Sequence, residues 1–292
     1  MPQPLLNTVD SRPAGSTIGY TTDKERPLPS QHGEFIWYEL ATGSADAAQH
    51  FYSTMLGWRI TDSGQPGMDY RILHARDEDA GEWRPIGGVM PLTEEMQRCG
   101  ARPVWLGYIA VDDVDQTVAK VTALGGSVQM PATDIPEVGR LAMVTDPQGT
   151  PFYVMRGHSN DASLAFASDR PRVGHCAWNE LATPDPEAAK AFYFEVFGWT
   201  KDGEMDMGPM GAYEFVRHNG VIGAIMPKPE EMPVPMWHYY FRPADIDAAI
   251  KATTDNGGQV LHGPDEIPGG DFIVKGVDPQ GALFALVGSR GG

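Results

Sequence analysis

The sequence predicts an α+β protein built from four βαβββ units that pair into two tandem domains. The first observation is a stretch at residues 33–58 that recurs at residues 174–199 without a gap and with many identical residues. The second is a turn, Asp-Pro-Gln-Gly, that occurs at residues 146–149 and again at residues 278–281. A chain of 292 residues is also long enough for two domains that each have a core.

Each repeat begins with a strand and an amphipathic helix. In the first copy, residues 35–40 are apolar and β-favouring, which is typical of a strand. Ser44 or Asp46 can cap the following helix, whose apolar residues recur at helical spacing and which ends at Gly57. Short strands then follow at residues 59–61, 70–74 and 86–90. These elements make one βαβββ unit.

A second unit of the same kind begins at Trp105. Its first strand leads into an Asp-rich segment at residues 112–115, which can start a helix that stops at Gly125. Its remaining strands are predicted at residues 127–130, 140–145 and 152–155. The last two are joined by the turn at residues 146–149, in which Pro fixes one φ angle and Gly permits a positive one. The second half of the chain repeats this order.

The repeats predict the domain boundaries. The first domain is expected at residues 33–157 and the second at residues 173–292, with a linker at residues 158–172 between them. Residues 1–32 lack an apolar period, so we expect an extended or disordered N-terminal arm.

Composition limits the function classes. A formal net charge of −17 disfavours binding to nucleic acid or to an anionic membrane surface, since both would be repelled. Only two cysteines, Cys99 and Cys176, are present, which fits a reducing compartment. No apolar run reaches the roughly 20 residues of a membrane helix, and no secretory signal is visible, so a cytoplasmic location is predicted.

Several of these motifs together resemble the vicinal oxygen chelate superfamily, the fold of glyoxalases, bleomycin resistance proteins and extradiol dioxygenases. They are the helix ending in Phe51-Tyr52 and Leu56-Gly57-Trp58, the Asp-rich helix start, and the repeated Asp-Pro-Gln-Gly turn. The resemblance implies two tandem glyoxalase-like domains, each with a cup-shaped cavity that binds a small organic molecule. It also implies a single chain that completes its own sheets, as a monomer or a homodimer.

Catalytic members of this superfamily hold a divalent metal ion in the cup, so the resemblance implies positions for its ligands. In this sequence those positions carry Trp37, Leu106 and Tyr153 in the first domain, and Trp178, His238 and Ala285 in the second. Indole and aliphatic side chains do not ligate metal ions, so His238 alone has a suitable donor. We therefore predict no metal cofactor.

Alternation along the strands predicts which side chains face each cup. The second cup is expected to contain Glu180, His238 and Arg242 as candidate acid–base residues, with Trp178 and Tyr240 as candidate ligand contacts. Glu180 and Arg242 could instead form a structural salt bridge.

In the first cup we expect the carboxylate of Glu39 as a further candidate catalytic residue, with aromatic ligand contacts from Trp37, Tyr108 and Tyr153. The same alternation places Phe35 and Cys176 on the cup faces and Ile36 on the helix side.

Three functional hypotheses follow from these residues. One is a metal-independent lyase, isomerase or hydroxylase that uses the acid–base residues of the second domain. Another is a non-catalytic protein that binds a drug or metabolite, similar to bleomycin resistance proteins. The last is a metalloenzyme, such as a dioxygenase or lyase, with displaced ligands drawn from His175, His218 and His238.

Overall fold

The computed structural model describes residues 30–65 and 67–291. Most of the predicted N-terminal arm, residues 1–32, lies outside the described residues. Sixteen strands and five α-helices follow along the part of the chain that is described. The strands form two eight-stranded sheets, one from each half of the chain.

The first half contributes β1 to β8 and three helices. The strands are β1 Phe35–Thr42, β2 Arg59–Asp62, β3 Arg71–Asp77, β4 Glu82–Pro91, β5 Val104–Ala110, β6 Ser127–Ile135, β7 Gly139–Thr145 and β8 Pro151–Gly157. The helices are α1 Ala45–Leu56, α2 Glu94–Arg98 and α3 Val114–Ala123. The short helix α2 is an addition to the predicted elements, and Thr93 caps it by accepting from the N–H of Met96.

The second half contributes β9 to β16 and two helices. The strands are β9 Cys176–Thr183, β10 Thr200–Asp206, β11 Ala212–Arg217, β12 Val221–Pro227, β13 Met236–Phe241, β14 Gln259–Glu266, β15 Phe272–Val277 and β16 Leu283–Gly288. The helices are α4 Pro186–Phe197 and α5 Ile246–Asp255.

The order of strands confirms the predicted pairing of βαβββ units. The first sheet runs β2-β3-β4-β1-β5-β8-β7-β6, and the second repeats this order as β10-β11-β12-β9-β13-β16-β15-β14. In each sheet the first strands of the two units pair antiparallel at the centre, as β1 with β5 and β9 with β13. The architecture is therefore that of two tandem α+β domains.

A β-bulge near the start of β1 overturns part of the predicted alternation. The register with β5 shifts between Phe35 and Trp37, so two successive residues of β1 lie opposite one position of its partner. Phe35 consequently packs in the large core, and Ile36 packs against the residues of the first cup. Both side chains were predicted on the opposite faces.

The second domain contains the matching irregularity. The register between β9 and β13 shifts between Tyr240 and Phe241, and Cys176 lies fully buried in the large core rather than on the cup face. Its thiol donates to the backbone carbonyl of Trp178. Burial raises the pKa of Cys176 to about 12, so this thiol stays protonated and unreactive at neutral pH.

One large hydrophobic core joins the two domains. It contains residues from both sheets and from the helices between them, such as Phe51, Phe152, Phe192 and Phe284. Hydrogen bonds cross it in reciprocal pairs. Trp58 donates to the carbonyl of Gly174, and Trp199 donates to the carbonyl of Gly33. The two halves therefore pack as a pseudo-symmetric pair, with a separate small cluster on the other face of each sheet.

Candidate functional site

The two small clusters define the candidate sites. We call the first cup the sheet face that carries Trp37, Leu106, Tyr108, Leu141 and Tyr153. We call the second cup the equivalent face of the other sheet, with Trp178, Tyr240, Ile273, Ala285 and Val287. A buried glutamate lies in each cup at the same position of the repeat, Glu39 in the first and Glu180 in the second.

In the first cup, tyrosine hydroxyls surround the carboxylate of Glu39. Tyr108 and Tyr70 donate to its Oε2 at 2.8 and 3.0 Å, and Trp37 donates from Nε1 to the Tyr70 hydroxyl at 3.0 Å. The Oε1 atom is buried without a hydrogen-bond partner in the described chain. Burial raises the pKa of Glu39, and the tyrosine hydrogen bonds offset this only in part.

An aromatic stack closes the first cup. The rings of Tyr108 and Tyr153 are nearly parallel, with centroids 4.2 Å apart and an angle of 14° between their planes. Both side chains are buried. The structure thus brings together the four predicted residues of the first cup, Glu39, Trp37, Tyr108 and Tyr153. They pack against one another in a single cluster.

The second cup has the same frame with a different partner for the glutamate. Tyr213 and Tyr240 donate to Glu180 Oε2 at 2.9 and 3.0 Å, and Trp178 donates to the Tyr213 hydroxyl at 2.7 Å. The ammonium group of Lys275 donates to Glu180 Oε1 at 2.8 Å. All three groups that contact the carboxylate are donors, so the ionised form is well matched.

The pKa values of the two glutamates are shifted in opposite directions. Burial alone would raise the pKa of Glu180, but the positive charge of Lys275, the interaction with His238 and the hydrogen bonds outweigh it and lower this pKa. Glu180 is therefore an ionised carboxylate at neutral pH.

His238 lies beside this ion pair as a neutral base. It pairs directly with Glu180 across the antiparallel strands β13 and β9 and is 5% exposed. Burial and the nearby charge of Lys275 lower the pKa of His238 to about 4, although Glu180 opposes the shift. Its Nε2 atom is buried and has no hydrogen-bond partner in the described chain.

The structure places Arg242 with a different partner from the one predicted. Its guanidinium forms a two-pronged salt bridge with Asp271, at 2.7 and 2.9 Å, and does not pair with Glu180. The alternative of a structural Glu180–Arg242 salt bridge is therefore wrong, because Lys275 from β15 holds that position beside Glu180.

Lys275, Tyr70 and Tyr213 were missed in the sequence. Tyr70 is the first residue of a predicted strand but lies just before β3, and Tyr213 lies on β11, which follows a loop of different length from the equivalent loop in the first repeat. Lys275 could have been found by aligning the two domains on the repeated turn. This alignment places Lys275 at the position of Met143, and Ala285 at the position of Tyr153. The second domain thus exchanges Met and Tyr for Lys and Ala at adjacent cup positions.

The residues present do not fit the metal ion of the resembling enzymes. Within residues 30–65 and 67–291, no group of three or more His, Cys, Asp or Glu side chains could hold a metal ion. His238 and Glu180 lie opposite each other on neighbouring strands, but Glu180 is already paired with Lys275. His175, another predicted displaced ligand, uses Nδ1 for the carbonyl oxygen of Leu164 at 2.6 Å.

No helix in the described part of the chain is long and apolar enough to span a bilayer.

Comparison with known proteins gives a consistent family. The model of the Glyoxalase/Bleomycin resistance protein/Dioxygenase superfamily matches residues 34–154 and 172–286. A protein of Mycobacterium tuberculosis (strain CDC 1551 / Oshkosh) with the name "Putative glyoxylase CFP32" is 34% identical over 255 residues, which cover 86% of this chain and 93% of that protein. The "Anthracycline biosynthesis protein DnrV" of Streptomyces peucetius is 29% identical over 283 residues, covering 89% of this chain and 94% of that protein.

Solved structures share the fold at low identity. The Mn(II)-bound glyoxalase from Novosphingobium aromaticivorans superposes with a TM-score of 0.60 at 19% identity, covering 89% of this chain and 83% of that one. The 2,3-dioxygenase LapB from Pseudomonas sp. KL28 gives 0.58 at 15% identity, with 91% and 94% covered. These two are metal-binding and dioxygenase structures, whereas the ligand positions here hold other residues.

Proposed function

Because the chain belongs to the Glyoxalase/Bleomycin resistance protein/Dioxygenase superfamily, we propose that it binds a small organic molecule in the second cup and moves a proton of that molecule without a metal ion. The reaction class is that of an isomerase or a lyase. The observation that carries the proposal is the combination of a cation, Lys275, with a neutral imidazole, His238, around the buried carboxylate of Glu180.

Each of these groups has a separate role. His238 accepts the proton, because its imidazole is neutral and its Nε2 is unpartnered within the described residues. Lys275, whose side chain is 25% exposed, stabilises the negative charge that develops on a substrate oxygen. The developing negative charge offsets the positive charge of Lys275, which is one cause of the lowered pKa of His238. The pKa of His238 therefore rises during the reaction, and its imidazole becomes a stronger base. Glu180, with Tyr213 and Tyr240, holds the ammonium group in place.

The relatives support a small organic ligand. One is named as a glyoxylase and another as an anthracycline biosynthesis protein, and both names refer to small organic compounds.

Deuterium exchange tests the proposal. We would screen small aromatic carbonyl compounds by thermal shift, since a ligand that binds the folded state raises its melting temperature. Each binder would then be incubated with the protein in D₂O and chelator, and its C–H signals followed by NMR. We expect exchange in the wild type and its loss in His238→Leu, which copies Leu106 of the first domain. Lys275→Met, which copies Met143, is expected to weaken binding at least about tenfold.

A matched control is available in the same domain. Glu214 is also a buried carboxylate paired with lysines, Lys190 and Lys201, but it follows Tyr213 on β11 and so lies on the opposite face of that strand from the cup. Glu214→Gln should lower stability and leave exchange per folded molecule unchanged. Full exchange in His238→Leu, or exchange that appears only after a metal ion is added, would refute the proposed chemistry.

One observation favours a second function. Protein donors already contact both oxygens of Glu180, so this carboxylate is not free to act as a base, which favours a site that binds a ligand without reacting with it. The same experiment separates the two functions. Saturable binding that Lys275→Met weakens, with no deuterium exchange in the wild type, supports a non-catalytic binding protein.

A further inference from the structure

A cavity of about 430 Å³ lies between the two domains, away from both cups. Its floor is the C-terminal end of α1, residues 54–57, and its walls come from both halves of the chain. Most side chains around it are apolar, among them Trp58, Val173 and Ala249, and the charged ones are Arg76, Glu78 and Asp245. Its volume is within the range of small-molecule sites.

The pseudo-symmetry of the chain provides a filled counterpart of this cavity. Val173 precedes Gly174 as His32 precedes Gly33, so these two residues are equivalent. An ideal Cβ atom built on Gly174 would lie 3.0 Å from Ala75, whereas one built on Gly33 would lie 3.0 Å from the ring of His218. Two imidazole side chains thus lie where the cavity side has Val and Ala.

The counterpart also shows what the cavity lacks. The last carbonyl groups of a helix have no partner within the helix and carry partial negative charge. At the end of α4, the ring of His32 is hydrogen-bonded through Nε2 to the carbonyl oxygen of Val196 at 3.0 Å. The ammonium group of Lys120 donates to the carbonyl oxygen of Glu195 at 2.5 Å. Side-chain nitrogens therefore satisfy both carbonyl groups.

The equivalent carbonyl groups of α1 belong to Thr54 and Met55. By the same repeat offsets, Val173 and Ala252 replace the two donors, His32 and Lys120. No side chain of the described residues donates to either carbonyl oxygen. Both residues line the cavity.

We propose that this cavity binds a small organic ammonium compound with an apolar or aromatic body, whose N–H groups donate to the carbonyl oxygens of Thr54 and Met55. The negative end of the α1 dipole favours a cation, and so do the nearby carboxylates of Glu78 and Asp245. The body of the ligand lies against Trp58, Val173 and Ala249. Trp83 is 37% exposed at the edge of the cavity and already holds Arg76 near its ring, at 6.0 Å, so it offers a surface for a cation or an aromatic ring.

Three probes of similar shape and different charge test this proposal. They are 2-phenylethylamine, 2-phenylethanol and 3-phenylpropionate, titrated into the full chain near neutral pH by calorimetry. We expect the amine to bind one site per chain at millimolar concentration or below, and the alcohol and the carboxylate to bind at least about tenfold more weakly.

Variants taken from the filled counterpart locate the site. Val173→His places an imidazole where His32 lies in the counterpart, and should weaken amine binding at least about tenfold. Ala248→Leu fills the same cavity from an exposed position on α5 and provides a second variant if the first folds poorly. In the opposite direction, His32→Val and His218→Ala together with Lys120→Ala, which copies Ala252, remove the side chains that fill the counterpart and satisfy its carbonyl groups, and we expect a second amine to bind per chain.

Several results would overturn the assignment. They are no saturable binding of the amine at millimolar concentration, equal binding of the alcohol, or unchanged amine binding in both filling variants. If Lys275→Met abolished amine binding and Val173→His left it unchanged, the amine would bind in the second cup instead. The function proposed for that cup is tested separately by deuterium exchange, so either proposal can fail alone.

Discussion

Glu39 and Glu180 occupy the same position in the two repeats, and each accepts hydrogen bonds from two tyrosine hydroxyls. They differ in the neighbouring cation, since Lys275 contacts Glu180 and Met143 lies at the equivalent position in the first domain. The pKa of Glu39 is raised by burial, whereas that of Glu180 is lowered. The pKa values of two residues in the same local frame are thus shifted in opposite directions, chiefly because Lys275 is present beside only one of them.

Replacing Lys275 by Met should make Glu180 resemble Glu39. Because the folded-state pKa of Glu180 is lowered in the wild type, its stabilising contribution is present above the unfolded pKa and is lost as pH falls through the folded one. In Lys275→Met the folded pKa should rise, so the variant loses stability as pH rises through it. We expect a loss of about 3 kcal/mol near neutral pH and a smaller loss near pH 5, measured by urea unfolding.

A double variant provides the control for this experiment. Lys275→Met with Glu180→Gln removes both charges, so it should be more stable than Lys275→Met alone near neutral pH. An equal loss of stability at both pH values in the single variant would contradict the assigned charge of Glu180.

Helix ends show how directly the sequence determines the larger elements. Asp185 precedes α4, and its carboxylate accepts from the N–H of Ala188 at 3.0 Å, with Pro186 at the first helical position. Asp185→Ala should lower the free energy of unfolding by about 1 kcal/mol, because the N–H group loses its partner. Thermal or urea unfolding measures this change. Asp185→Asn retains a capping oxygen and should recover most of the loss, and failure to do so would indicate that charge matters more than capping.

Regular elements were predictable because each depends on a local pattern. The helix caps, the apolar spacing of α1 and α4 and the Asp-Pro-Gln-Gly turns are all encoded within a few residues, and the internal repeat supplied each pattern twice. The faces of Phe35 and Cys176 were not predictable, since a β-bulge is a property of the pairing with another strand.

The candidate site was predictable only in part. Glu180, His238 and Tyr240 follow the alternation of β9 and β13. The partner of Glu180 was not predictable from this alternation. Choosing between Arg242 and Lys275 requires the distances between strands β9, β13 and β15. A sequence pattern assigns a face, and packing selects the contact.

The two domains of the whole molecule are linked by buried hydrogen bonds that cross the shared core. Tyr52 of α1 donates to Asp278 of the second domain, and Tyr193 of α4 donates to Asp146 of the first, at 3.1 and 3.2 Å. The carboxylates belong to the repeated turns, where they also accept backbone N–H groups. Each domain therefore completes a turn of the other.

This reciprocity predicts that the two domains unfold together. Tyr52→Phe leaves the Asp278 oxygen and the indole N–H of Trp105 without their buried partner, so it should cost about 1 to 2 kcal/mol. Tyr193→Phe should cost a similar amount, because Trp237 and Asp146 make the equivalent contacts. Since either loss weakens the core that both sheets share, tryptophan fluorescence and far-ultraviolet circular dichroism should report one coincident transition in each variant. Two separated transitions, with only one of them shifted by Tyr52→Phe, would show that each domain is stable without the other.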